Sequence, residues 1–194
     1  MKKIMIGLVL SLGISLAWAQ ESAPITESPV SSDTFTATIA NNNFQVDRYL
    51  GTWYEIARLP MHYERNCLSP ITLTYEKDSK GLKITNRCRQ DDGGTSTAVG
   101  QLTFNQESNV AKMEMSFSPS WLKWTAVGVY DYWILYTDYD NFALVGSPDK
   151  KYLWILARKE NNTRDQVQKL INMGRDLGYS TQNLILNTQA FNLQ

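Results

Sequence analysis

The sequence predicts an all-β fold, an eight-stranded antiparallel up-and-down β-barrel with one C-terminal α-helix packed outside it. Three observations carry this. From Thr52 to Lys159 the chain is a string of short runs rich in Val, Ile, Thr, Tyr, Phe and Trp, separated by Gly, Pro, Asp and Asn clusters. The connections between these runs are too short for the crossovers that parallel strands require. A single segment with helical spacing then follows, from Thr163 to Gly178.

The N-terminus reads as an export signal. Lys2 and Lys3 precede an apolar run from Ile4 to Ala17, and Ala17-Trp18-Ala19 has the small-x-small form of a cleavage site. Residues 1–19 are expected to be removed. The first cysteine is Cys67, far from the apolar run, so no lipid-attachment cysteine follows the signal and the mature chain is expected in the periplasm or secreted. Residues 20–43, rich in Ser, Thr, Pro and Asn, hold too little apolar surface to offset the entropy of ordering and read as a flexible leader. Residues 44–194 remain, about 150 residues, an ordinary size for one domain with one core.

The expected strands are Thr52–Arg58, Ile71–Glu76, Leu82–Arg89, Ala98–Asn105, Ala111–Ser118, Gly128–Thr137, Phe142–Gly146 and Tyr152–Lys159. Eight is a strand number at which a closed barrel can hold one small ligand. After them, Thr163-Arg164-Asp165-Gln166 has capping-box form, Val167, Leu170, Ile171, Met173 and Leu177 recur at helical spacing, and Gly178 suits the C-terminal cap. That apolar stripe must be buried on the outer wall of the barrel, beside the last strand.

Cys67 and Cys88 flank the turn Asp78-Ser79-Lys80-Gly81 at nearly equal distances, so antiparallel pairing brings them close and an oxidising compartment would join them. Parity with Leu82, Ile84 and Asn86 also turns Cys88 inward, which leaves open an enzymatic alternative if that thiol is free.

Side chains alternate across a strand, so the apolar parity marks the lining. Ile71, Leu73 and Tyr75, then Ile84, then Met113, Met115 and Phe117, face inward; so do Tyr130, Tyr132, Ile134 and Tyr136, and Tyr152, Trp154 and Leu156. Trp133, Leu135, Leu153 and Ile155 fall on the outer face, under the helix. The interior is thus aromatic, methionine-containing and edged by phenols, which suits a long apolar ligand with a polar head. A barrel filled by its own side chains satisfies the same parity. Glu55 shares parity with Trp53 and Ala57 and points inward; it either anchors a ligand head group or pairs with a cation such as Arg58.

Catalysis and metal binding find little support. The one histidine, His62, follows the first strand, and no nucleophile elbow, phosphate-cradling loop or dinucleotide fingerprint is present. Loss of Lys2 and Lys3 leaves the mature chain with two more acidic than basic residues, a balance that does not attract nucleic acid. No metal and no cofactor is expected. Pro119-Ser120-Trp121-Leu122-Lys123-Trp124 places Trp121, Leu122 and Trp124 between the fifth and sixth strands, suited to a lid over the barrel mouth or to a membrane surface.

Three short motifs carry a family resemblance. Gly51-Thr52-Trp53 opens the first strand, Thr137-Asp138-Tyr139 stands where the sixth strand turns into the seventh, and Arg158 ends the eighth. In this order and spacing, from Phe44 to about Leu186, the chain resembles the lipocalins, and the stretches Gly51–Arg58 and Tyr152–Arg158 look most like their bacterial, outer-membrane lipoprotein and apolipoprotein D-like branch. The resemblance implies that Gly51, Trp53, Thr137, Asp138, Tyr139 and Arg158 are structural, with the Arg158 guanidinium lying across the Trp53 indole at the closed end. It implies binding, storage or transport of a small hydrophobic ligand, a fatty acid or lysophospholipid, rather than catalysis. The alternatives are a lipocalin-type isomerase using Cys88 and a membrane-surface protein using the Trp121–Trp124 segment.

Overall fold

The computed structural model describes residues 43–105, 110–117 and 128–187. The export signal, the leader up to residue 42 and the Trp121–Trp124 segment lie outside the described residues.

A short helix α1 (Val46–Tyr49) leads into eight strands: β1 (Gly51–Arg58), β2 (Cys67–Asp78), β3 (Gly81–Gln90), β4 (Thr95–Phe104), β5 (Lys112–Ser116), β6 (Val129–Thr137), β7 (Phe142–Gly146) and β8 (Leu153–Ala157). Each pairs antiparallel with the next, and β1 pairs with both β2 and β8, which closes the barrel. Helix α2 (Arg164–Asp176) follows, and a two-residue β9 (Ile185–Leu186) adds to the end of β1. Neither α1 nor β9 has a periodic signal in the sequence. The first is a single turn and the second a pair of exposed residues held by tertiary contact.

Alternation builds two apolar layers. Leu73, Tyr75, Ile84, Met113, Tyr132 and Trp154 belong to a buried cluster inside the barrel, which Phe44 and Tyr49 close from the α1 side. Leu135, Leu153 and Ile155 join Val167 and Leu170 of α2 in a second cluster outside. The Thr163 hydroxyl accepts from the Gln166 amide, completing the capping box, and Gly178 takes a φ of +85° just past the helix. Gly146 is bare for a packing reason: a Cβ there would strike the Tyr179 ring, whose hydroxyl donates to the Ser147 carbonyl at 2.8 Å.

Bulges overturn two parity assignments. The β1–β8 register shifts between Glu55 and Ala57, so Glu55 stays inside while Ala57 joins Ile56 in the outer cluster. A second shift, between Ile134 and Tyr136, moves Tyr136 to the outer side with Leu135. One extra residue reverses the parity of everything after it.

Cys67 and Cys88 are joined by a disulfide, with their Cα atoms 5.4 Å apart. They are not direct partners: a bulge between Leu68 and Ile71 pairs Cys67 with Gln90 and Ile71 with Cys88. Pro70, which has no N–H for the ladder, sits inside that bulge. The bridge closes a loop of 21 residues in sequence separation. Replacing both cysteines by serine is expected to lower stability by about 3 kcal/mol, read from urea denaturation; an unchanged midpoint would show that the β2–β3 pairing alone holds this end of the barrel.

Candidate functional site

The two ends of the barrel differ. At one end the starts of β1, β5 and β7 meet the ends of β2, β6 and β8, and α1 packs across them. Trp53 is fully buried there, its indole N–H donating to the Tyr49 carbonyl at 2.9 Å. The Arg158 guanidinium carbon lies 3.7 Å from the centre of the Trp53 ring. Arg158 also donates to three backbone carbonyls, those of Tyr139 at 3.0 Å, Thr52 at 3.1 Å and Arg48 at 2.8 Å. One side chain thereby ties the start of β1, helix α1 and the β6–β7 turn together. In that turn the Asp138 carboxylate accepts from the Asn141 and Phe142 amides, and the Thr137 hydroxyl accepts from the amide of Tyr139, which has a φ of +67°. This end is shut.

At the opposite end the sheet leaves a cavity of about 300 Å³, at the lower bound of small-molecule sites. It is lined by Ile71, Ala98, Phe117, Tyr130 and the Cys67–Cys88 bridge, interspersed with the polar residues Glu64, Asn86, Arg87 and Ser96. Of the residues expected to line a ligand site, Ile71, Phe117 and Tyr130 border this space. Leu73, Tyr75, Ile84, Met113, Met115, Tyr132, Ile134 and Trp154 face inward but fill the barrel below it, packed among themselves. Tyr152 is half-buried on the same cluster, its ring 5.6 Å from that of Tyr130. Tyr75 and Tyr132 share a hydrogen bond between their hydroxyls, and burial raises both phenols above their ordinary range. Among the described residues, this open space lies in the mouth half.

Glu55 sits beneath the mouth in an ion-pair group. Arg58 Nη1 donates to Glu55 Oε1 at 2.9 Å, Arg58 Nη2 donates to the Glu64 carbonyl at 2.8 Å, and Arg58 Nε lies 3.2 Å from Glu64 Oε2. All three side chains are buried. Burial pushes the Glu55 carboxyl well above the usual carboxylate range, and the Glu64 charge adds to this while Arg58 opposes it. Burial also raises Glu64, against Arg58 and a hydrogen bond from Glu55. Glu55 Oε2 and Glu64 Oε2 have no hydrogen-bond donor, and Arg58 Nε, although 3.2 Å from Glu64 Oε2, is out of line for one. Sequence parity turns Glu55 inward and offers Arg58 as a cation for it, although it is the shift between Glu55 and Ala57 that brings Arg58 to the same side. Parity also turns Asn86 inward without naming it as lining; it misses Glu64, Arg87, Ser96 and Ala98, because Glu64 comes from the 3₁₀ turn His62–Glu64, which has no alternation, and the others are polar or small residues with no apolar pattern to mark a face.

Cys88 borders the cavity, but its sulfur is bonded to Cys67 and no free cysteine exists among the described residues. The isomerase alternative, which requires a thiolate there, is thereby removed.

The model of the lipocalin-like domain matches residues 44–189. The chain belongs to the lipocalin family. Among its relatives, the outer membrane lipoprotein Blc of Escherichia coli K12 is 34% identical over 146 residues, covering 74% of this chain and 78% of that protein. Apolipoprotein D of Cavia porcellus is 29% identical over 157 residues, covering 76% of this chain and 78% of its own length. Among solved structures, lobster apocrustacyanin A1 superposes with a TM-score of 0.62 at 20% identity, over 78% of this chain and 83% of that one, a likeness of fold. Insecticyanin from the tobacco hornworm Manduca sexta gives 0.57 at 26% identity, over 75% and 81%. Lipocalins bind small hydrophobic ligands, and in this lipocalin a cavity lies at the barrel mouth.

Proposed function

We propose that this lipocalin is an exported carrier of a single-chain amphiphile, a fatty acid or lysophospholipid, held with its alkyl chain in the mouth-side cavity. The observation that carries the reading is the cavity itself, lined by the apolar Ile71, Phe117 and Tyr130 together with the polar Glu64 and Asn86. Burial of about ten methylenes contributes about 8 kcal/mol, the scale of micromolar binding before orientation costs. Export is supported by the apolar leader at residues 4–17, by the disulfide, which suits an oxidising compartment, and by relatives that are outer membrane lipoproteins.

Native mass spectrometry of protein purified from its host, followed by organic extraction, is expected to return a single-chain lipid. A barrel that arrives empty and takes up no lipid in titration would overturn the carrier reading. Ala98→Trp, which fills the mouth from an exposed wall position, is expected to weaken uptake about tenfold, the equivalent of roughly two buried methylenes. Its melting temperature should stay at the wild-type value.

A further inference from the structure

We propose that the Phe117 ring, seated on Gly100, is the floor of the mouth-side cavity and limits the alkyl chain it takes to about ten carbons, so that the site selects medium-chain amphiphiles. This rests on the carrier reading and names the chain length for that same site.

The cavity stops at one level on each strand that borders it. On β2 Ile71 lines the space, while Leu73, the next inward residue, belongs to the filled cluster. The change falls between Asn86 and Ile84 on β3, between Ala98 and Leu102 on β4, and between Tyr130 and Tyr132 on β6. Gly100, the inward position skipped on β4, is buried and pairs with Ile84, leaving a gap at that level where a side chain would otherwise stand. The end of β5 fills it. Ser116 pairs with Gln101, so the next residue, Phe117, comes over Gly100. A Cβ on Gly100 would stand 2.9 Å from Phe117 Cε1, 3.0 Å from Phe117 Cδ1 and 3.1 Å from Ile84 Cγ2. The ring is therefore pressed against the β4 backbone beside Ile84 and also borders the cavity. Ile84, Leu102 and Met113, in the filled cluster, have no exposed surface.

A methylene takes about the space of a water molecule in the liquid, about 30 Å³. A cavity of about 300 Å³ thus holds on the order of ten carbons. A longer chain goes no deeper without displacing a packed aromatic ring, and its remaining methylenes stay in water at the mouth, where they add nothing to affinity. Because the floor is one side chain resting on a glycine, its depth can be changed in both directions. A smaller residue at position 117 lowers it, and a side chain at position 100 lifts the ring into the open space.

The test is calorimetric titration of the whole protein with saturated fatty acids from hexanoate to hexadecanoate, each kept below its aggregation concentration. In the wild type affinity is expected to rise about fourfold per methylene up to about ten carbons and then to level off. The negative heat-capacity change of binding should level off at the same length. Phe117→Ala should move that break about three carbons longer while leaving octanoate close to its wild-type affinity. Gly100→Ala should move it one or two carbons shorter, since the ring is the neighbour with space to yield into. Phe117→Leu, expected to act like Phe117→Ala but less, keeps the proposal testable if the alanine variant fails to fold. Val99→Ala, next to Gly100 but 55% exposed on the outer face, should leave the profile unchanged. A fourfold rise that continues to hexadecanoate, a break that neither position 117 nor position 100 moves, or a break moved equally by Val99→Ala overturns the floor assignment and leaves the carrier reading intact. Binding at no chain length overturns both.

Discussion

Trp53→Ala is expected to lower the stability of this lipocalin by about 3–5 kcal/mol and to leave its preference among amphiphiles unaltered. Trp53 is fully buried, packs with its ring centre 5.0 Å from that of Tyr49, and lies under the Arg158 guanidinium. Truncation opens a void between α1 and the barrel floor and leaves the Tyr49 carbonyl without its indole donor. The cavity is at the other end of the barrel, beyond the filled layer of Tyr75, Met113 and Tyr132. Arg158→Ala should act in the same direction but less, about 1–3 kcal/mol, because the side chain is partly solvated and its three carbonyl partners turn to water. Urea denaturation beside lipid titration checks both. A variant that melts like wild type but binds nothing would place Trp53 or Arg158 in the ligand site.

Arg58→Met carries the second large effect, about 3–5 kcal/mol near neutral pH. Methionine preserves most of the volume but leaves two buried carboxyls without their cation. The deficit depends on pH, and its sign follows from the raised carboxyls of Glu55 and Glu64. A carboxyl whose folded pKa exceeds its unfolded value stabilises the fold fully below the unfolded value, and that contribution is lost as pH rises through the folded value. In the wild type Arg58 opposes the shift and limits the loss. Without it both carboxyls rise further, so the destabilisation relative to wild type should be small below about pH 4.5 and grow toward pH 8, starting at the ordinary carboxyl value. Denaturation midpoints of both proteins across that interval give the comparison. A deficit independent of pH would mean that Arg58 matters for packing and for its bond to the Glu64 carbonyl, not for its charge.

Much of the scaffold was legible before any coordinates because its signals are local. A strand's period of two separates Leu73 and Tyr75 from Thr72 and Thr74 without reference to the rest of the chain. The capping box at Thr163 and Gln166 and the apolar spacing through Val167 and Leu170 define α2 in the same way. Cys67 and Cys88 were joined from their distances to one turn, although the bulge at Pro70 offsets them from direct pairing. The assignments that failed, Ala57 and Tyr136, sit just past bulges, where an inserted residue reverses parity and leaves no trace in composition.

The sequence by itself determined the strand count, the helix, the bridge and the face that most residues present, since each follows from short-range periodicity or from one pairing. Only the tertiary structure decided how much of the barrel is open. Ile84, Met113 and Trp154 face inward just as Phe117 and Tyr130 do, yet the first three are packed tight and the last two border empty space. Free volume is the remainder after side chains from eight strands have met, and a remainder cannot be read from any one strand. The meeting of Glu55, Arg58 and Glu64 has the same origin, because the turn that returns Glu64 over the mouth is set by the fold it closes.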